Sequence, residues 1–185
     1  RFCDNKLDDS VINLGLAPPS NAYLKDLNQA KKEKKFPLKL LFCEKCYLLQ
    51  TEDYNKPEEL FTDDYAYFSS TSDFFLNHAK KYSDEIIKKL KLNNESFVVE
   101  IASNDGYLLK NFKEKKIPIL GIEPTKSTYQ KSIDLKIPTI NKFFGVDLVN
   151  KLLQKHNKAD LIIANNVFAH VPNIKNFTQA IKNLL

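Results

Sequence analysis

The sequence predicts an α/β fold, with a parallel, doubly wound sheet that follows a small ribbon domain. Three observations support this prediction. From residue 97 onward, strand-like and helix-like segments alternate, as they do in βαβ units. The segment FVVEIASNDGYLL at 97–109 leads from an apolar strand through a short polar turn into a helical pattern. Near the N-terminus, Cys43 and Cys46 form a Cys-x-x-Cys pair between two apolar segments.

Composition excludes several classes of function. The 185 residues allow one large domain, or a small domain plus a medium one. The net charge of +5 is carried by lysine, and Arg1 is the only arginine. Because arginine makes the bidentate contacts to phosphates and base edges, we expect no nucleic-acid partner. No apolar run approaches the roughly 20 residues of a membrane span, so no membrane partner is expected either. The oligomeric state is left open.

The first 55 residues are predicted to form a zinc-binding ribbon domain. Residues 36–42 form a strand-like segment that runs directly into the Cys43–Cys46 knuckle, and 47–50 read as the returning strand. Cys3 is the third candidate ligand, and zinc in structural sites takes four. A redox pair and ordinary buried thiols are the alternatives. Three cysteines do not make a secreted disulfide framework, so a cytoplasmic location is expected.

Residues 56–92 are interpreted as a linker and a covering helix. The linker is rich in acids and aromatic residues, and it is either a surface loop or a segment that covers a cofactor. Helical spacing of apolar residues predicts a helix over 73–92, which Ser72 or Asp73 can cap. His78 lies on the apolar face of this helix and is expected to be packed.

Residues 93–185 are predicted to form a partial Rossmann-like domain. Strands are expected at 97–101, 117–123, 139–140 and 160–164, and helices at 107–115, 125–134, 146–156 and 174–184. The ligand crevice of such a sheet lies beyond the carboxyl ends of its strands. Four strands leave the sheet unfinished, so the chain is interpreted as a fragment cropped at both ends.

The turn after the first of these strands predicts an adenosine-type cofactor. It holds one glycine, Gly106, so the dinucleotide fingerprint GxGxxG is absent. This favours S-adenosylmethionine over NAD. Glu123, at the tip of the next strand, is placed to accept hydrogen bonds from ribose hydroxyls. The remaining candidate cofactor-binding residues follow the strand ends: Glu100, Ala102, Ser103, Asn104 and Gly106 at the turn, Pro124 and Phe144 flanking adenine, and Asn165 near the methionine moiety.

The combination of motifs resembles the sugar C-methyltransferases. It consists of the Cys-x-x-Cys ribbon followed in order by DYAYFSSTS, EIASNDGYLL, GIEP and NNVFAHV. Members of that family use S-adenosylmethionine to methylate nucleotide-linked 4-keto-deoxysugars, with an N-terminal zinc-binding domain, a central Rossmann-like domain and a C-terminal substrate domain. The resemblance implies a structural zinc whose fourth ligand is a cysteine immediately before Arg1. It also implies a substrate domain with a Tyr-x-Glu-His segment beyond Leu185.

The resemblance further implies methyl transfer to a carbon next to a ketone, through an enolate. His170 is the candidate for proton transfer, either as the base or in support of one; the alternative is that it only orders its loop. Asn166 is a candidate donor to the enolate oxygen, or a turn-forming residue. Tyr67 would add a phenol, or serve in packing. The alternative functions are an O- or N-methyltransferase of another small molecule, and a non-catalytic zinc-ribbon binding module.

Overall fold

The computed structural model describes residues 1–7, 10–20, 23–63 and 65–185. The chain divides into two compact units, Arg1–Phe61 and Thr62–Leu185. Asp64, the first residue of the DYAYFSSTS motif, lies outside the described residues. The α/β architecture with a parallel sheet in the second unit and a small ribbon in the first agrees with the predicted fold class.

The first unit is built on a three-stranded antiparallel sheet in the order β1-β2-β3. Its strands are β1 (Ser10–Ala17), β2 (Phe36–Phe42) and β3 (Leu49–Gln50), and its helices are α1 (Leu27–Lys32) and α2 (Pro57–Leu60). The register of β1 against β2 shifts twice along the strand. Strand β3 pairs with the end of β2, so the two form the predicted hairpin around Cys43 and Cys46.

The second unit begins with a long helix and continues as alternating strands and helices. Its elements are α3 (Asp73–Leu90), β4 (Val98–Ile101), α4 (Leu109–Glu114), β5 (Ile119–Ile122), α5 (Lys126–Asp134), β6 (Thr139–Ile140), α6 (Val146–Leu152), β7 (Leu161–Ile163) and α7 (Ile174–Leu184). Ser72 caps α3 by accepting a hydrogen bond from the N–H of Phe75. Among the described helices, none combines the length and the apolar character that a membrane crossing requires.

The four strands of the second unit pair in parallel in the order β6-β5-β4-β7. Because successive side chains of a strand point to opposite faces, each strand contributes to two cores. Val98 and Ile119 belong to a cluster with α3 and α4, whereas Val99 and Leu120 belong to a cluster with α6 and α7. Because β4 and β5 are the two central strands, their carboxyl ends lie at the middle of the sheet edge where the ligand crevice is expected.

Helices α4 and α6 fall furthest short of the lengths that the sequence pattern predicts. Helix α4 begins at Leu109 and not at 107, because the preceding residues form a turn in which the N–H of Gly106 donates to the Ser103 carbonyl at 3.0 Å. Helix α6 ends at Leu152, where the prediction extended it to 156. Both differences concern helix ends, where the periodic apolar pattern carries little information.

Substituting Gly121 is expected to destabilise the second unit. A Cβ at this position of β5 would lie 2.5 Å from Ser103 Oγ and 2.9 Å from Thr139 Oγ1. Overpacking of this kind costs about 1–3 kcal/mol, so Gly121→Ala should lower the free energy of unfolding by that amount. Urea unfolding followed by circular dichroism measures the change. Gly145→Ala is the matched control: its Cβ would meet only the end of the Asn176 side chain, so a smaller loss is expected there.

Candidate functional site

The thiols of the first unit lie close together. The Sγ atoms of Cys3, Cys43 and Cys46 are all within 4.8 Å of one another, and those of Cys3 and Cys43 are 3.5 Å apart. Cys43 is buried, and the other two are partly buried. The structure therefore brings together the three predicted metal ligands. Their sulfur donors suit zinc, which binds thiolates in tetrahedral geometry.

The turn between β2 and β3 shapes this cluster. The N–H of Tyr47 donates to the Cys43 carbonyl at 2.7 Å, and the N–H of Cys43 donates to the Leu48 carbonyl at 3.0 Å. Tyr47 takes a left-handed conformation with φ of 61°. A hydrogen bond from the backbone of Cys46 lowers the pKa of the Cys43 thiol to about 7. This favours the thiolate, which is the form that binds a metal.

Residues 102–106, here called the corner, follow β4 as the sequence predicts. Ala102, Asn104 and Gly106 have φ values of 52°, 52° and 81°. The N–H groups of Ser103, Asn104 and Gly106 donate to the Ile122 carbonyl, the Glu123 carboxylate and the Ser103 carbonyl, so these bonds hold the corner against the end of β5. Only Gly106 must lack a side chain, because a Cβ there would collide with Cδ1 of the buried Ile137. This explains why the corner has a single glycine.

The carboxylate of Glu123 is tied into the corner. Its Oε2 accepts from the N–H of Asn104 at 2.8 Å, and its Oε1 accepts from the N–H of Thr125 at 2.9 Å and from the Thr125 hydroxyl. The side chain is only 3% exposed. Its predicted contact with ribose hydroxyls stays a prediction. The observed bonds add a second role, because this carboxylate holds the backbone of the corner in place.

Residues 65–71, here called the strap, pack against the corner. The Asn104 side chain accepts from the N–H of Ser69 at 2.9 Å and donates to the Tyr67 carbonyl at 3.0 Å. Asp105 Oδ2 accepts from the N–H of Ser70 at 3.0 Å. These contacts hold the strap against the corner, and its interpretation as a segment that covers the cofactor stays a prediction.

Three buried acids surround the corner. Glu100, Asp105 and Glu123 are 1%, 0% and 3% exposed. Burial, and then the nearby Glu123 and Asp105 carboxylates, raise the pKa of Glu100 well above its ordinary value of 4.5. Two of the acids keep an unused oxygen: Glu100 Oε2 and Asp105 Oδ1 are buried and have no hydrogen-bond partner. Unpaired buried acceptors are rare in proteins and mark places where a ligand or water belongs.

Glu100→Gln is expected to stabilise the protein as the pH rises. The folded-state pKa of Glu100 is raised, so above its unfolded value near 4.5 the unfolded chain loses this proton while the folded chain retains it. Stability contributed by this group is therefore present at low pH and lost as the pH increases. The difference in urea midpoint between variant and wild type should thus grow in favour of the variant between pH 5 and pH 8. A difference that shrinks with pH would contradict this assignment.

A cavity of about 180 Å³ opens between α3 and the carboxyl ends of β4 and β7. Its lining consists of Phe75, His78, Ala79, Tyr82, Tyr107, Leu108, Asn165 and Asn166. Burial and the nearby Glu100 raise the pKa of Tyr107 to about 12, and a hydrogen bond with Asn165 opposes this rise. Two predicted residues, Asn165 and Asn166, therefore line the same cavity. His78 was expected to be packed in the helix face, but its side chain is exposed and stacks on Phe75 at this cavity.

Three other candidates, His170, Phe144 and Pro124, are not part of the cavity lining. His170 ends an exposed 3-10 helix, Phe168–His170, and its N–H donates to the Val167 carbonyl at 2.9 Å. Asn166 has a φ of 53°, which suits its turn-forming interpretation as well as its place in the cavity wall. The ring of Phe144 packs edge-on against the buried Phe177 at 5.2 Å. Pro124 is partly buried beside Glu123. The roles assigned to these residues stay predictions.

Sequence reasoning missed part of the cavity and of the corner. Tyr82 and Tyr107 were not predicted as site residues, although Tyr107 directly follows Gly106 in the EIASNDGYLL motif. The sequence assigns Asp105 no role beyond its place in the turn, whereas the structure buries it fully. Its position between Asn104 and Gly106 was the available signal.

Comparison with known proteins supports the predicted resemblance. Residues 1–61 match a family model described as "Putative zinc binding domain". The C-methyltransferase NovU of Streptomyces niveus is 28% identical over 187 residues, which span 100% of this chain and 44% of that protein. The chain thus spans less than half the length of this curated relative. Both findings agree with the resemblance to C-methyltransferases that the motifs predicted.

Two solved structures show weaker likeness. An S-adenosylmethionine-dependent methyltransferase from Clostridium acetobutylicum is 16% identical with a TM-score of 0.48, and the match covers 63% of this chain and 48% of that one. The magnesium protoporphyrin IX methyltransferase of Synechocystis, solved with bound SAM, is 13% identical with a TM-score of 0.44, over 69% of this chain and 63% of that one.

Proposed function

We propose that this chain is part of an S-adenosylmethionine-dependent C-methyltransferase that acts on a nucleotide-linked keto-deoxysugar in the cytoplasm. In this proposal residues 1–55 form the zinc-binding ribbon domain, 56–92 the linker and covering helix, and 93–185 part of the cofactor-binding domain. The name of the relative from Streptomyces niveus supports the reaction class. The substrate class rests on the resemblance of the motifs.

The unpaired acids beside the cavity carry the proposal. Glu100 Oε2 and Asp105 Oδ1 are buried acceptors without a partner, and Glu100 lies close enough to Tyr107 to raise its pKa. Burial and the neighbouring acids favour the neutral form of Glu100, and a positive group at this site would stabilise its charged form. S-adenosylmethionine carries an ammonium and a sulfonium, so a cationic ligand of this kind matches the charge of the site. NAD, which is anionic, does not.

The corner residues would hold the other parts of this cofactor. Ala102, Ser103 and Gly106 belong to the corner beside the tip of β5, where Glu123 is the predicted partner of the ribose hydroxyls. Asn165, which lines the cavity next to Tyr107, suits the methionine end. Pro124 and Phe144 are the expected neighbours of adenine. When bound, S-adenosylmethionine supplies an electrophilic methyl group.

The chain's own residues would prepare the sugar for this methyl group. A carbon next to a ketone becomes nucleophilic only after loss of a proton, which leaves an enolate. The exposed imidazole of His170 is the proposed acceptor of that proton, or supports the group that accepts it. The side-chain amide of Asn166 and the phenol of Tyr67 are proposed to donate hydrogen bonds to the developing oxyanion.

Zinc has a structural role in this proposal. A site closed by thiolates has no open coordination position for chemistry. The Cys3, Cys43 and Cys46 cluster lies at the β2–β3 turn, so a metal there would tie the N-terminal segment to the hairpin. A structural metal can supply the stabilisation that the small hydrophobic core of such a unit does not provide.

Isothermal titration of the 185-residue chain with S-adenosylmethionine tests the cofactor assignment. Wild type should bind, and Glu100→Gln should weaken binding about tenfold or more, which corresponds to a loss of about 1.4 kcal/mol. The matched control is Glu114→Gln, the same change on an exposed residue of α4, which should bind as wild type does. Absence of binding by the wild-type chain would overturn the cofactor assignment and favour a non-catalytic zinc-ribbon module.

Isotope labelling tests the reaction class. A nucleotide-linked 4-keto-deoxysugar deuterated next to the ketone should lose that deuterium when it gains a methyl group, because the enolate forms at the same carbon. Mass spectrometry of the methylated product detects the loss. Retention of deuterium in a methylated product would instead indicate transfer to oxygen or nitrogen. The His170→Ala variant should form product at least about a hundredfold more slowly, as is typical when a general base is removed.

A further inference from the structure

The Asn104 side chain makes bonds in two directions to the strap. Its Nδ2 donates to the carbonyl of Tyr67 at 3.0 Å, and its Oδ1 accepts from the N–H of Ser69 at 2.9 Å. The amide thereby engages the backbone on both sides of Phe68, as the edge of a neighbouring strand would. The side chain is 9% exposed, so both bonds are shielded from water and neither is easily replaced.

Other contacts confirm that the strap is held at several points. Asp105 Oδ2 accepts from the N–H of Ser70 at 3.0 Å, and the Ser127 hydroxyl donates to the carbonyl of Tyr65 at 2.9 Å. Ser69 itself is 7% exposed. The Asn104 bonds lie at the centre of this set, directly next to Tyr67.

The position of the Asn104 amide is in turn set by the acid at the tip of β5. Glu123 Oε2 accepts from the backbone N–H of Asn104, and Asn104 has a left-handed φ of 52°. Asparagine tolerates this left-handed conformation better than most residues. One connected series of bonds therefore runs from Glu123 through Asn104 to the strap.

The strap carries Tyr67, whose phenol is a candidate for the reaction. The Tyr67 side chain is 53% exposed, so packing of its own ring does not explain where it lies. Its backbone carbonyl accepts from Asn104 Nδ2 at 3.0 Å. The position of Tyr67 therefore depends on how the strap is held.

We infer that Asn104 is a positioning residue whose amide clamps the strap and so fixes the position of Tyr67. This assigns the side chain of Asn104 to the strap. The importance of Tyr67 for catalysis rests on the proposed function, but the clamp itself does not. Loss of the clamp should release the strap while the corner keeps its shape.

A single tryptophan makes the strap visible. The chain contains no tryptophan, so Tyr67→Trp introduces a unique fluorophore at a half-exposed position. In this background, Asn104→Gly removes the amide and keeps the left-handed conformation free of strain. We expect acrylamide to quench Trp fluorescence about twice as strongly after this change, and the amides of Ser69 and Ser70 to exchange their hydrogens at least about tenfold faster. Unchanged quenching and exchange would overturn the inference.

The matched control is Asn141→Ala. Asn141 also uses its Nδ2 to hold a loop, with bonds of 2.8 Å to the carbonyls of Glu123 and Pro124, but it makes none to the strap. This variant should leave quenching and exchange of the strap as in wild type. If Asn141→Ala releases the strap as strongly as Asn104→Gly does, the effect is general loosening and the clamp is refuted.

A second variant removes the same bond from the strap side. Ser69→Pro eliminates the N–H that donates a hydrogen bond to Asn104 Oδ1. Ser69 is the first residue of a 3-10 helix, a position where proline is tolerated. It should reproduce the faster exchange of Ser70 without any change in the corner. This variant keeps the inference testable if Asn104→Gly fails to fold, and normal protection of Ser70 in it would contradict the clamp.

Cofactor titration separates this inference from the proposed function. Asn104→Gly should bind S-adenosylmethionine within about threefold of wild type, because its side chain serves the strap. In the methylation assay it should lower kcat without raising the KM for the cofactor, as Tyr67→Phe should. Loss of cofactor affinity with an undisturbed strap would show that Asn104 contacts the cofactor instead. Absence of binding by the wild type would refute the proposed function and leave the strap measurements unaffected.

Discussion

Replacing Glu123 with alanine is expected to lower the free energy of unfolding by about 2–4 kcal/mol and to abolish cofactor binding. The carboxylate accepts hydrogen bonds from the backbone N–H groups of Asn104 and Thr125, and all three residues are buried. Each buried donor left without a partner costs about 1–3 kcal/mol. Because Asn104 is also the centre of the strap contacts, the corner and the strap should lose their order together.

Urea unfolding and titration with S-adenosylmethionine measure the two effects of Glu123→Ala. Glu114→Ala, the same change on the exposed end of α4, should shift stability by no more than about 0.5 kcal/mol. A Glu123→Ala variant as stable as wild type would contradict the supporting role seen here. If that stable variant also lost the cofactor, Glu123 would act only through the ribose contact that the sequence predicts.

Removal of zinc is expected to unfold the first unit. The three thiols lie within 4.8 Å of one another at the β2–β3 turn, and β3 consists of only two residues. Zinc contributes folding free energy directly in small domains of this kind, about 10–16 kcal/mol in zinc-finger peptides. Treatment with a chelator should therefore abolish the protection of the β2 and β3 amides from hydrogen exchange, and added zinc should restore it.

Cys43→Ser tests the ligands individually. Cys43 is 1% exposed and is the best shielded of the three thiols. The variant should retain less than about a tenth of the zinc that wild type binds, as measured by elemental analysis. Loss of one thiolate would leave this cluster with two of the four ligands that structural zinc takes. Ser83→Ala, a buried change in the second unit, should leave the zinc content unchanged. Full zinc content in Cys43→Ser would exclude this cluster as the metal site.

The two cores of the second unit follow from local sequence. The consecutive apolar residues Val98 and Val99 predict a buried strand, and both residues are fully buried. Successive side chains of a strand point to opposite faces, so a continuous apolar run indicates burial of both faces. The spacing of Cys43 and Cys46 was equally informative, since a tight turn brings residues three apart within reach of one metal.

Helix ends and the use of the corner side chains were not predictable in this way. The sequence pattern extends the helix after Gly106 back to residue 107, but the turn continues to Leu108. The sequence predicts that Asn104 binds the cofactor, and it places Asp105 only in the turn. Both are buried, and both bond to a segment 35 residues earlier in the chain. No local pattern encodes a partner at that separation.

By itself, the sequence determined the order of strands and helices, the residues that form the corner, and the cysteines whose thiols lie close together. Each of these depends on neighbours in the chain, so spacing and residue type carry the information. Only the tertiary structure decided that Glu123 holds the corner backbone, that Asn104 clamps the strap, and that Glu100 and Asp105 keep unpaired oxygens. These features depend on which polar groups meet after burial, and burial of a polar atom is a property of the packed chain.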